Sequence, residues 1–155
     1  MLVKIKGPAK LSGDIEVYGS KNAALPLFAA SLLTKDEVIL HNMPKISDLD
    51  CMQDIFTSLS AITKREETTI TIKAENIDET KIDTVLVSKL RGSILLLGAL
   101  LGRRKQVSLP RPGGDVIGAR PIDAHIDAFN QLGAIVHDDG QMVTIDGAKL
   151  QAGHV

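Results

Sequence analysis

Two stretches of the chain run almost without a polar interruption, LPLFAASLL at 25–33 and SILLLGALL at 93–101. A helix that is apolar on every face has to be surrounded by protein. Buried helices are therefore predicted at about 22–34 and 86–102. A short β-type stretch follows each of them, at about 37–41 and 105–109. Beyond these the spacing of apolar residues changes to three and four, which marks amphipathic helices at about 48–60 and 121–133. In the second of these the stripe is Ile122, Ile126, Phe129 and Leu132, with Asp123, Asp127 and Gln131 elsewhere on the helix. Strands at about 61–65 and 69–73, and again at 134–138 and 141–146, complete the pattern. An alternating stretch, Gly13–Tyr18, predicts an extended start before the first helix.

The chain thus says one thing twice. The two apolar runs are offset by 68 residues, Val38–Leu40 and Val107–Leu109 by 69, and Leu59-Ser60-Ala61 and Leu132-Gly133-Ala134 by 73. The growth of about four residues falls where a glycine-rich segment lies, between 107 and 132. A unit of about 70 residues is longer than a solenoid repeat and reads as a duplicated supersecondary module. The units cover about 13–74 and 82–147, each βαβαββ-like in order, within one partial domain over 1–155. The fold class is α/β (α+β), with helices in the centre and sheets outside. Periodicity equally allows one central helix pair in an ordinary α+β domain.

Composition removes several classes of function. A net charge of −1 without clustered Lys and Arg gives no electrostatic footprint for nucleic acid. Three Phe, one Tyr and no Trp supply no stacking platform either. Cys51 is the only cysteine, which excludes an internal disulfide and a cysteine metal cluster. No apolar run reaches the length of a membrane span, and residues 1–20 lack the core of a secretory signal. A soluble, cytoplasmic protein is expected.

Cations stand where helices disfavour them. A positive side chain at a helix N-terminus opposes the macrodipole by about 0.3–1 kcal/mol. Yet Lys21 sits immediately before the first apolar helix, and the offset of 68 puts Lys89 at the matching place, with Arg91 two residues on. Free N–H groups and cations together form an anion site; surface cations with their stems on the core are the plainer reading. Pro26 is expected in the first turn of its helix, where its missing N–H costs nothing. The segment 113–125, GGDVIGARPIDAH, repeats the arrangement: glycines that let backbone approach a ligand, then Arg120, then Pro121 to start a helix. Asp115 lies on a loop with Pro110, Pro112, Gly113, Gly114 and Gly118. A loop carboxylate is ordinarily just solvated; it becomes a proton donor if a closing lid desolvates it. Asp123 and His125 would not stand out on their own.

The segments SKNAALPLFAASLL, KLRGSILLLGALL and GGDVIGARPIDAHI together resemble the N-terminal part of the UDP-N-acetylglucosamine 1-carboxyvinyltransferase family of enolpyruvyl transferases. The similarity runs from Ile5 to His154. It implies an inside-out α/β barrel built from six similar units in two domains, with no metal or organic cofactor. The implied reaction moves the enolpyruvyl group of phosphoenolpyruvate to the 3-hydroxyl of UDP-N-acetylglucosamine and releases phosphate, the first committed step of peptidoglycan synthesis. Lys21 and Arg120 would then hold the phosphate and carboxylate of phosphoenolpyruvate. Asn22 would orient the sugar, Arg91 would contact the anionic groups, and Pro121 and Asp123 would help seat the uridine. The loop at 110–121 would close over the substrates, with Asp115 as the catalytic acid.

Three departures from the family pattern matter. Asp115 stands where most members have a cysteine that acts as an acid and is alkylated by the epoxide fosfomycin; a carboxylate is a poor soft nucleophile, so resistance is implied. Ala124 stands where relatives often place a leucine against the uracil, which loosens the base pocket. Members of the family are also much longer. A third unit of this domain and the opposing domain of the same protein are expected outside the chain, and residues 1–155 alone are expected to turn over little or no substrate. A non-catalytic anion-binding or oligomerising unit, or an enolpyruvyl transferase of the shikimate-phosphate type, are the other readings.

Overall fold

A computed structural model describes residues 2–113 and 121–154. The order of elements is α1 (Lys21–Ala30), β1 (Glu37–Leu40), α2 (Ser47–Ser58), β2 (Ile62–Glu66) and β3 (Thr69–Lys73), and then α3 (Thr84–Lys89), α4 (Ile94–Arg104), β4 (Gln106–Pro110), α5 (Asp123–Gln131), β5 (Ile135–Asp138) and β6 (Met142–Asp146). Each half carries a three-stranded antiparallel sheet, ordered β1-β3-β2 and β4-β6-β5. The duplication is visible in the register. Glu37 pairs with Lys73, and Gln106 pairs with Asp146, so the offset is 69 on one strand and 73 on the other. The central strands follow the two-residue period: Ile70 and Ile72 point inward from β3, and Val143 and Ile145 from β6.

α1 packs on α2 and α4, while α4 also packs on β4 and β6. Phe28 and Leu32 meet Leu96, Leu97, Leu100 and Leu101 in one continuous core that both halves share. Phe28 and Phe56 make an edge-to-face pair, centroids 4.6 Å apart, a geometry that complements the ring quadrupoles. α2 buries Leu49, Met52, Ile55 and Phe56 completely. Its counterpart α5 packs on β5, and of its predicted stripe only Ile122 is fully buried, with Ile126 and Phe129 partly so.

Five expectations need correction. Gly13–Tyr18 forms no strand: Ile15 and Val17 are exposed, and neither described sheet pairs with the segment. A strand exists only where a neighbour takes its N–H and C=O groups, and alternation alone does not supply one. The helix predicted over 86–102 is broken into α3, a 3-10 turn at Arg91–Ser93, and α4. Leu90 is extended at the break (φ −105°, ψ 114°), and the buried Ser93 hydroxyl donates to the Val87 carbonyl at 2.8 Å. The break brings Gly92 against α1, so close that a Cβ would lie 2.9 Å from Leu25 Cδ1. The apolar face of α1 is covered on one side only; Leu27 and, just beyond the helix, Leu33 stay more than half exposed. Pro26 lies in the second turn of α1, where it removes the N–H that would bond the Asn22 carbonyl. Finally α5 starts at Asp123, two residues after Pro121, because Ile122 is still non-helical at φ −112°, ψ 10°.

Arginines lock the two halves together. Arg103, near the end of α4, donates from Nη1 to the carbonyls of Leu32 (2.7 Å) and Thr34 (2.8 Å), and from Nη2 to that of Glu75 (2.8 Å). Arg104 donates to the Ile77 carbonyl at 2.5 Å and pairs with Glu79 at 3.1 Å. These carbonyls end elements of the first half, so the second half supplies their donors.

Candidate functional site

The start of α1, the break before α4 and the first turn of α2 converge on a cleft of about 460 Å³. Lys21, Asn22, Asp48 and Arg91 give it its polar groups, and Leu25 and Leu95 part of its apolar wall. α1 places Lys21 and Asn22 there because they are its first two residues. Its N-terminus is served by backbone alone: the Ser20 carbonyl accepts from Ala23 (3.2 Å) and Ala24 (2.9 Å), and no acid lies in the first turn. The orphan N–H groups and the Lys21 ammonium therefore sum to a positive field at one end of the cleft. Arg91 reaches it from the 3-10 turn and donates to the Pro121 carbonyl at 3.1 Å. That bond links the cleft to the chain entering α5.

The cleft also contains an anion that sequence reasoning did not single out. Asp48, in the first turn of α2, pairs with Lys21 at 2.5 Å. In the sequence it reads as an ordinary acid at a helix start; only packing of α2 on α1 shows where it points. Cys51, one turn later, is no nucleophile for this cleft. Partial burial pushes its thiol up, with Asp54 and Asp48 adding to the effect, and its Sγ faces the Leu86 carbonyl at 3.8 Å.

The structure brings together Lys21, Asn22 and Arg91, and ties Pro121 to them through Arg91. Asp123 opens α5 in solvent, and its charge reaches Arg111. Asp115 and Arg120 lie outside the described residues. Lys89 does not occupy the place its offset implied: it ends α3, where the dipole favours a cation. Gly113 approaches the chain itself, since a Cβ there would fall 1.6 Å from the Ser88 carbonyl oxygen. Arg111, two residues earlier, is held firmly in place. Its Nε bonds both oxygens of Asp138 (2.9 and 3.1 Å), its Nη2 bonds the same carboxylate, and its backbone N–H bonds the Gln141 carbonyl at 2.7 Å.

No helix of the described residues is long and apolar enough to cross a membrane. Among them no group of three or more His, Cys, Asp or Glu is placed to hold a metal ion.

The structure is a duplicated unit of helices and three-stranded sheets with Lys21 and Arg91 lining one cleft, and comparison with known proteins places its family. The chain belongs to the EPSP synthase (3-phosphoshikimate 1-carboxyvinyltransferase) family, which matches residues 5–155. Among individual relatives, the UDP-N-acetylglucosamine 1-carboxyvinyltransferase of Campylobacter fetus is 40% identical over 95% of this chain and 36% of its own length. The protein of the same name from Bradyrhizobium diazoefficiens is 44% identical over 85% of the chain and 31% of its own. The chain thus spans about a third of the length of these relatives. The fold is that of the enolpyruvyl transferase NikO from Streptomyces tendae, with a TM-score of 0.75 at 24% identity over 90% of this chain and 31% of that one.

Proposed function

We propose that the chain forms one wall of a UDP-N-acetylglucosamine 1-carboxyvinyltransferase active site. The observation that carries this reading is the convergence of Lys21, Asn22 and Arg91 on one cleft. Relatives from several organisms bearing that enzyme's name support the sugar nucleotide as acceptor rather than shikimate phosphate. In the reaction the 3-hydroxyl gives its proton to a base and its oxygen bonds to C2 of phosphoenolpyruvate, while C3 takes a proton from an acid. The C2–O bond to phosphate then breaks, C3 gives the proton back, and the enol double bond is restored. Lys21 and Arg120 hold the two anionic groups of phosphoenolpyruvate and stabilise charge as phosphate departs. Asn22 orients the sugar, Arg91 meets anionic substrate groups, and Pro121 and Asp123 seat the uridine. Asp115 donates the proton to C3 when the loop closes, because desolvation raises a carboxyl pKa toward a useful range. The protein acts in the cytoplasm on a precursor of the cell wall, and hence in cell shape and division.

The chain spans about a third of the length of these relatives, so the activity is proposed for a protein of that length. The test is phosphate release by a protein of the relatives' length that carries this chain, with UDP-N-acetylglucosamine or shikimate 3-phosphate as acceptor. Turnover with the sugar nucleotide, lost in Lys21→Met and Arg91→Met, is expected; turnover with shikimate phosphate alone overturns the reading. Fosfomycin leaves that activity intact, and a covalent adduct on Asp115 with matching loss of turnover would refute the role given to the aspartate. A second reading, an oligomerising unit without catalysis, draws on the exposed Leu27 and Leu33. A concentration-dependent dimer in sedimentation, with no turnover in the longer protein, would favour it.

A further inference from the structure

Lys21 has no counter-ion on its own helix, and its partner comes from another element. Asp48 lies in the first turn of α2 beside Asp50, but the two acids serve different partners. Asp50 pairs with Arg65 at 2.9 Å, on the sheet side of α2, whereas Asp48 pairs with Lys21 inside the cleft. Either acid complements the α2 dipole, so the dipole alone does not account for Asp48 pointing at Lys21. Among the described residues the cleft is lined by two cations, Lys21 and Arg91, and one carboxylate. Arg91 already gives one donor to the Pro121 carbonyl. A carboxylate at 2.5 Å from the ammonium an anion would use is a direct competitor for it.

We propose that Asp48 is a built-in counter-ion of this anion site, which an anionic substrate must displace from Lys21 on binding. The inference rests on the reading of the cleft as an anion site. Its consequence is selectivity. A lone small anion gains little by trading places with a carboxylate already seated there. A ligand with a second anchor, such as a phosphate and a carboxylate on one small acid, carries enough additional binding to do so. Removing the charge while keeping the shape raises the net charge of the cleft by one. Coulomb attraction through partly solvated protein then predicts about three- to tenfold tighter binding of a small anion. Salt screens most of the gain away.

The test is titration of the 155-residue chain with inorganic phosphate, followed by amide shifts of Asn22 and Arg91, for the wild type, Asp48→Asn, Asp48→Glu and Arg91→Met. Support is about three- to tenfold tighter phosphate binding by Asp48→Asn, shrinking at high salt, with Asp48→Glu close to the wild type. A merely structural role for Asp48 predicts the opposite sign, because a disturbed cleft binds more weakly. Wild-type binding that Arg91→Met weakens but Asp48→Asn leaves unchanged or weakens overturns this inference and spares the reading of the cleft. No phosphate binding by any variant overturns both.

Discussion

Arg111 and Asp138 show what a single side-chain pair does for the site. The pair is two-pronged, and Asp138 also accepts from the Gly140 N–H at 2.9 Å. Hydrogen bonding from Arg111 holds the Asp138 carboxyl below the usual carboxylate range, against the opposing effect of desolvation. The folded pKa is depressed, so the pair stabilises the fold above the unfolded value of about 3.9. That stabilisation disappears as pH falls through the folded value. Asp138→Asn is therefore expected to lose about 0.5–1 kcal/mol at pH 7 and almost nothing near pH 2, since the pair is partly solvent-screened. Urea unfolding at both pH values checks this, and equal losses at the two would show that charge is not the cause. The same pair fixes the first residue of the segment that leads to Asp115 and Arg120.

At the scale of elements, the weight falls on how α4 meets the first half. Arg103 satisfies three carbonyls, at Leu32, Thr34 and Glu75. Removing it leaves acceptors near the end of α1 and beyond β3 without donors. Hydrogen bonds from a charged donor contribute about 1.5–3 kcal/mol, and some of these carbonyls regain water. Arg103→Met is expected to cost about 2 kcal/mol in urea midpoint analysis, with Arg103→Lys recovering part of it. A loss below about 0.5 kcal/mol would mean that apolar packing alone joins the halves. The break between α3 and α4 belongs to the same scale. It lets Gly92 close on Leu25 and turns Arg91 into the cleft, where a continuous helix would have carried it elsewhere.

Across the whole molecule, burial separates residues that the sequence makes look equal. Leu27 and Leu96 both sit in apolar runs, yet Leu96 is fully buried and Leu27 is 52% exposed. Leu96→Ala is expected to cost about 2–5 kcal/mol by transfer and cavity terms. Leu27→Gln is expected to change stability by less than about 0.5 kcal/mol. Thermal unfolding of the two variants decides; a large loss at Leu27 would show that its face is covered. The exposed side of α1 is also where the apolar period of the chain goes unused by the described residues.

The sequence by itself carried the repeat with its offsets, the two apolar helices, and the unusual cations Lys21 and Arg91, while it left the placement of helices against sheets open and gave Asn22 only through the family resemblance. Local period and repeated chemistry survive as a one-dimensional pattern. Tertiary structure alone decided the rest. It broke the helix over 86–102 at Leu90, because the Ser93 hydroxyl takes the Val87 carbonyl and Gly92 fits against Leu25. It moved Lys89 from the start of one helix to the end of another, and left Gly13–Tyr18 without a strand neighbour. It turned Asp48 onto Lys21 across 27 positions of sequence. A contact between elements depends on which faces pack, and no local pattern carries that information.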